Sequence, residues 1–549
     1  MKRILFSVIC LCVGISIQAQ TEVMAWGNLT GIRVDGYLFP FETFFRVTDA
    51  AGVSLEDTGK ERQSRPSYSR EGETQYVKTR VQGVRYEQRV TDTARGTSGL
   101  SLSCRADLSV FCQADTTLQS QGAFFCIAIP LVPAYAEKCV LEVDGIKHVA
   151  RTLRENTFIG ARLTVQGYTA ELGFRADRPV EWQIQKLSGD TILISVPLLP
   201  ENFTRGARGE LQLSVCTARG GGGQAAPVRL SLQSDQPGRL FDGLGGNFRL
   251  QNPRVDPPVI DYCLDSLRVA WGRVEMPWRD WHPREQADPL AEARAGKISK
   301  RVADAMEMAR RLSAMGMPVI VSCWFPPEWA IEGDPASYVR RGGIQAYRLD
   351  PAKERQIYRS LADYLVCLKE ACGVEAVMFS FNESDLGIDV LHTAREHAAF
   401  IKGFGRYMAE RGLATRMLLG DNSDATTFDF IVPALEDPDT YPYIGAVSFH
   451  SWRGCDDATL RRWAEASRTL NVPLIIGEGS TDAAAHVYPQ IFAESTFAFY
   501  EINLYIRLCA ICQPLSILQW QLTSDYSILW GGGCMVRRVR CDLPSGSGT

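Results

Sequence analysis

From Arg239 onward the chain repeats one rhythm: a short apolar run, a polar or aromatic break, then a stretch with helical spacing. The strand-like runs are Leu240–Phe248, Leu267–Val274, Pro318–Trp324, Ala376–Phe381, Arg416–Gly420, Ile444–Phe449, Val472–Gly477 and Leu515–Trp520. Between them, segments such as Ser299–Met315, Ala352–Ala371 and Thr393–Arg411 place apolar residues every three to four positions and meet a glycine soon after. That is the pattern of an amphipathic helix with a defined stop. Eight strands and seven helices over about 290 residues match an α/β chain folded as a (β/α)8 TIM barrel. A doubly wound open sheet is the alternative, and it calls for a glycine-rich phosphate loop opening a helix after the first strand. Gly243-Leu244-Gly245-Gly246 lacks that spacing and runs into Asn247-Phe248.

Residues 21–236 read differently. Runs such as Thr79–Tyr86, Phe124–Ile129 and Thr191–Val196 are strand-like, and no amphipathic helix interrupts them. An all-β sandwich-like domain is therefore expected ahead of a barrel at 237–533. The start, Met1-Lys2-Arg3 followed by the apolar run Ile4–Ile17 and Gln18-Ala19-Gln20, reads as a secretory signal peptide over residues 1–20. It predicts a periplasmic or extracellular protein with no membrane span once the leader is removed. A net charge of −4 without a basic block excludes a nucleic-acid backbone as partner. The tail, residues 534–549, breaks the rhythm where an eighth helix is due. Codons exist for Gly533–Thr549 that, read one nucleotide earlier, encode a turn and a helix-like start, so a frameshift near codon 533 is the expectation there. Cys104, Cys112, Cys126, Cys139 and Cys216 are spread so that some can pair, whereas Cys263, Cys323, Cys367 and Cys372 fall in apolar patterns as small hydrophobes. Cys509 and Cys512 lack a second pair, and the 6 histidines include no His-Glu-x-x-His arrangement. Neither a metal centre nor a cofactor is expected.

Barrel enzymes concentrate their chemistry where the strands end. Here those ends carry Arg273-Val274-Glu275 with Trp278 and Trp281, then Trp324 to Trp329, Asn382-Glu383, Asp421-Asn422, His450 with Trp452, Glu478 and Trp520. Two glutamates delivered from different strands are what a retaining glycosidase needs, one as acid/base and one as nucleophile. Tryptophan faces suit the C–H surfaces of sugars. The plainer readings are that Arg273 pairs with Glu275 or Asp280 and that His450 is a core histidine bonded to backbone.

With these motifs the chain resembles the clan A glycoside hydrolases. In that clan the acid/base follows an asparagine at the end of strand four and the nucleophile ends strand seven; Asn382-Glu383 and Glu478 match. A tryptophan commonly closes strand eight, matched by Trp520. Phe241-Asp242-Gly243-Leu244-Gly245-Gly246 and Phe325-Pro326-Pro327-Glu328-Trp329 are most similar to glycoside hydrolase family 30, which also carries a β-sandwich beside its barrel. The resemblance covers about the last 55 per cent of the chain. It departs from the pattern at Ser384, where many members have proline, and in the size of the N-terminal domain.

The resemblance implies a secreted retaining β-glycosidase that hydrolyses O-glycosidic bonds of a carbohydrate substrate by double displacement, without a cofactor. Glu383 would be the acid/base, its pKa raised by its site, and Glu478 the ionised nucleophile beside a cation such as Arg273. Asn382 would bond the sugar 2-hydroxyl, with Arg273, Trp324, His450, Trp452, Trp520 and Asn422 as further substrate contacts. The alternative is a carbohydrate-binding protein on a barrel that has lost turnover.

Overall fold

The computed structural model describes residues 19–523 except 25, 35–36, 60–65, 99–100, 131–138, 150–154, 168–169, 188–190, 220–230, 232–234, 236, 341–343 and 482–494. Nearly all of the expected leader, the glycine run at 220–223 and the 534–549 tail with its frameshift lie outside the described residues. The chain divides into two compact units, Met1–Leu230 and Ser231–Thr549.

The first unit is antiparallel β throughout. A small three-stranded sheet (Ala19–Val23, Leu29–Val34, Tyr37–Pro40) accompanies one sheet of 13 strands. At one flank of the large sheet, Glu42–Thr48 pairs with Ala123–Pro130, which pairs in turn with Thr191–Leu199. Toward the other flank the long strands Val84–Ser98 and Ser101–Ala114 form a hairpin. The alternation of Glu42–Thr48 puts Phe45 on the buried face, as period-two spacing requires. Phe45 stacks on Tyr86 from the distant hairpin, with ring centroids 4.3 Å apart and planes within 19°. Two flanks that are remote in strand order thus share a core, so one curled sheet supplies the sandwich-like packing. Cys112, Cys126 and Cys139 are buried free thiols here, so these three do not use the pairing that their spread allows. Burial pushes the Cys112 thiol up to about 12, so it packs as an inert small hydrophobe.

The second unit is a closed barrel of eight parallel strands in sequential order: Gly243–Asn247, Gly272–Pro277, Val319–Trp324, Met378–Phe381, Arg416–Asn422, Ile444–His450, Leu474–Gly479 and Ser516–Gln519. The last strand pairs with the first, from Gly243↔Ser516 to Gly246↔Gln519, and that closure excludes the open sheet. Helices Lys300–Ala314, Glu354–Cys372 and Ala394–Glu410 stand where their spacing predicts. Thr393 and Glu396 form a reciprocal capping box at the start of the last of these, and Gly373 ends the second in the left-handed conformation at φ 68°, a backbone state open to glycine at little steric cost. The expectation of a full helix in every gap fails between strands five and six. Only short turns fill that gap, Ala425–Ile431, Val432–Leu435 and Pro438–Tyr443, in a segment interrupted by Pro433, Pro438 and Pro442. No helix among the described residues is long and apolar enough to cross a membrane.

Candidate active site

Alternation along each strand sets the barrel interior in layers. Trp271, Ile320, Met378, Leu418, Ala446, Ile475 and Leu518 form an apolar floor. Two residues beyond Trp271, Ile320, Met378 and Ala446 come Arg273, Ser322, Ser380 and Ser448, and the interior turns polar. Arg273 is the hub of this layer. Its Nη1 donates to Asn247 Oδ1 at 2.8 Å and Glu478 Oε1 at 2.9 Å. Its Nη2 donates to Ser322 Oγ at 2.9 Å, Asn382 Oδ1 at 2.7 Å and Asp421 Oδ2 at 2.8 Å. Among the plainer readings, Arg273 therefore does not pair with Glu275; Arg249 and Arg301 do. Asp421 also accepts from Ser380 and Ser448. Burial opposes its charge, but Arg273 and His450 outweigh burial and hold its carboxyl well below the usual range.

Above this layer the two glutamates meet. Glu383 follows strand four and Glu478 lies within strand seven, and both are at least nine-tenths buried. His450, from the end of strand six, stands between them. Its Nδ1 is 2.9 Å from Glu383 Oε1 and 3.3 Å from Glu478 Oε2, while its Nε2 is 3.2 Å from Asp421 Oδ1. One ligand atom from each of Glu383, His450 and Glu478 lies within 4.8 Å of the others, so the two carboxylates approach each other at that range. Burial works against an imidazolium, yet Glu478, Asp421 and Glu383 outweigh it and push His450 up to about 10. Doubly protonated, the ring has no lone pair for a metal; neutral, it would complete a Glu383–His450–Glu478 ligand set. Burial pushes the Glu478 carboxyl up to about 7 against the pull of His450 and Arg273, with the charge of Glu383 adding to the rise. Burial and the charge of Glu383 thus work against the two cations at Glu478. Two cations, Arg273 and His450, face three carboxylates, Asp421, Glu383 and Glu478. The buried cluster is neutral when the two glutamates share one proton.

Local backbone carries the cost of this convergence. Glu383, Asp421 and Phe325, all at strand ends, adopt positive φ of 44°, 56° and 57°, a region disfavoured for residues with a Cβ. Gly477 makes room: a Cβ there would stand 2.3 Å from Asp421 Oδ1. The glycine beside Glu478 therefore admits the carboxylate that orients Arg273.

The expected aromatic wall is present but closed on itself. Trp324, Trp452 and Trp520 form one buried cluster, with Trp324 and Trp520 stacked at 6.2 Å. The guanidinium of Arg249 covers Trp324 at 3.8 Å. Asn422 turns away from the carboxylates: its Nδ2 donates to the carbonyl and hydroxyl of Thr427, both at 2.9 Å. Asn382 Nδ2 is buried with no hydrogen-bond partner among the described residues. Asn247 and the central role of Asp421 escaped the sequence reading. The signal for both was a polar residue at a barrel strand end, the same signal that marked Glu383 and Glu478.

No protein-family model matches the chain, and no curated protein matches it. Among solved structures it is similar to a glycoside hydrolase family 30 endoxylanase from Clostridium papyrosolvens C71, with 16% identity over 54% of this chain and 67% of that one and a TM-score of 0.40. It is also similar to a monomeric β-xylosidase from Caulobacter crescentus CB15, with 14% identity over 52% of this chain and 62% of that one and a TM-score of 0.40. A third is the catalytic domain of the family 30 xylanase C from Talaromyces cellulolyticus, at 12% identity over 52% of this chain and 68% of that one and a TM-score of 0.36. These are likenesses of fold, and the chain spans about two thirds of each.

Proposed function

We propose that the protein is a secreted retaining β-glycosidase that cleaves a β-linked oligosaccharide or polysaccharide by double displacement. The observation that carries the reading is the convergence of Glu383 and Glu478, from strands four and seven, on one histidine with carboxylate oxygens within 4.8 Å. Retaining enzymes hold their carboxyl groups about 5–5.5 Å apart, whereas inverting enzymes need about 6.5–9.5 Å to admit a water. The close approach supports retention.

Arg273 contacts Glu478 directly and is not bonded to Glu383, which suits Glu478 to the role of nucleophile and Glu383 to that of acid/base. Glu478 attacks the anomeric carbon while Glu383 protonates the leaving oxygen. Glu383, now a carboxylate, then takes a proton from water, which releases the sugar from Glu478. Asn382 is anchored through Oδ1 by Arg273 and turns its unpartnered Nδ2 to the sugar 2-hydroxyl, a bond that strengthens in the transition state. His450 carries its proton throughout and keeps the two carboxylates from repelling one another.

The test is product stereochemistry. Proton NMR of a reaction with an activated aryl β-glycoside shows the β-anomer first if the reading is right and the α-anomer first if the enzyme inverts. Azide rescues Glu478→Ala as an α-glycosyl azide and Glu383→Ala as a β-glycosyl azide. Full turnover in both alanine variants rejects the proposal.

A further inference from the structure

Strands seven and eight lose register between Ile476 and Gly479, the stretch that carries Glu478. Beyond the gap, the Trp520 N–H donates to the Gly479 carbonyl at 2.9 Å. Behind it, Glu501 on the helix Ser495–Cys512 reaches both strand ends at once. The Ser480 hydroxyl donates to Glu501 Oε2 at 2.9 Å, and the Thr481 N–H and the Gln519 side chain bond the same carboxylate. Tyr505, one turn along the helix, donates its hydroxyl to Gln519 Oε1. Ser480 is tied to strand six as well: its N–H donates to Ser451 Oγ at 3.1 Å, and Ser451 Oγ donates to its carbonyl at 2.8 Å. The Ser451 N–H in turn donates to the Glu478 carbonyl at 3.0 Å. Where the ladder between the two strands is broken, one carboxylate gathers donors from either side.

We propose that Glu501 is a positioning residue for the nucleophile. It holds the open end of strand seven against strand eight, so that Glu478 faces Glu383 and Trp520 keeps its place in the wall. Its role as positioner rests on the glycosidase reading; the clamp itself is a property of the fold. Burial pushes the Glu501 carboxyl up to about 7; ionised, it accepts from all three donors. A glutamine presents an NH2 group to at least one of them, whereas an aspartate keeps the acceptor and loses reach.

The experiment pairs Glu501→Gln with Glu501→Asp. The first measurement is the rate at which an activated 2-deoxy-2-fluoro-β-glycoside labels Glu478, taken per folded molecule, beside kcat and KM. Glu501→Gln is expected to lower kcat and the labelling rate about 10- to 100-fold, the effect of a reacting group displaced by up to about an ångström. KM stays within about twofold, and Glu501→Asp restores part of the loss. The second measurement is hydrogen exchange, read without substrate: peptides spanning 474–481 and 516–520 exchange faster in Glu501→Gln. Wild-type labelling and exchange in Glu501→Gln overturn the proposal, as does a kcat loss that follows the unfolded fraction alone. If the wild-type protein cleaves no glycoside the glycosidase reading fails, and the exchange rates still decide the clamp.

Discussion

Inside the barrel, the floor of Trp271, Ile320, Met378, Leu418, Ala446, Ile475 and Leu518 is wholly apolar, while the layer above it is organised around Arg273 and Asp421. Along several strands the two layers are a single step of two residues apart. In the floor, a side chain needs only an apolar neighbour of the right volume, and its contribution is largely its own. In the charged layer each group is the partner of several others, so removing one leaves the rest buried and unsatisfied. Burial stabilises the first layer and penalises the second. The same closed barrel therefore supplies a packed core and, three residues later on strands five and seven, carboxylates with shifted proton affinities.

The largest effect expected from this contrast is on turnover. Glu478→Ala or Glu383→Ala lowers kcat about 10²- to 10⁴-fold. Either change leaves two cations facing two carboxylates, so the melting temperature at neutral pH falls less than in Arg273→Ala; an equal drop would show that the charges are not balanced as described. Next is Arg273→Ala, which strands Asp421 and Glu478 and costs about 3–5 kcal/mol in chemical denaturation along with turnover. Arg273→Lys does not recover activity, because a point charge cannot serve the acceptors on Asn247, Ser322, Asn382, Asp421 and Glu478 that the planar fork reaches.

In the floor, Leu418→Ala costs about 2–5 kcal/mol by leaving a cavity, yet kcat per folded molecule stays at the wild-type value. A fall in both would show that the two layers are not separable. His450 gives a smaller, pH-dependent signature. Its proton affinity is raised on folding, from the usual 6.5 to about 10, so its stabilisation is complete below about pH 6.5. That stabilisation drains away as pH rises toward 10. The stability difference between wild type and His450→Gln should therefore shrink across that window, and a difference that grows with pH contradicts a protonated His450. Smallest of all, a chelator leaves activity unchanged; zinc-dependent turnover would show that Glu383, His450 and Glu478 hold a metal ion instead.

The barrel was legible because its information is local. Each strand announces itself as an apolar run, and each helix by its spacing and its stop, as at Thr393 and Gly373. The two glutamates were legible for the same reason: each ends or nearly ends its own run. The partners of those glutamates were less so. Asp421 is one more acidic residue in sequence, and it becomes the counter-charge of Arg273 only when strand five closes beside strand four, 148 residues from its partner. Trp324 reads as an open sugar platform until Arg249 and Trp520 cover it. Asn422 reads as a cleft residue until the turn after it presents Thr427. The N-terminal unit shows the same division: its strands follow from alternation, whereas the stacking of Phe45 on Tyr86 depends on how far the sheet curls.

The amino-acid sequence alone determined that eight strands recur from about residue 240 with helices in most of the gaps, that β structure precedes them, and which side chains stand where the strands stop. Periodicity and apolar content act over a few residues, and they suffice for that. Tertiary structure decided which of those carboxylates face one another, which cations oppose them, and which aromatic faces are covered. Those outcomes depend on ångström distances between groups hundreds of residues apart, and in a buried site such distances set whether a charge is sustained or extinguished.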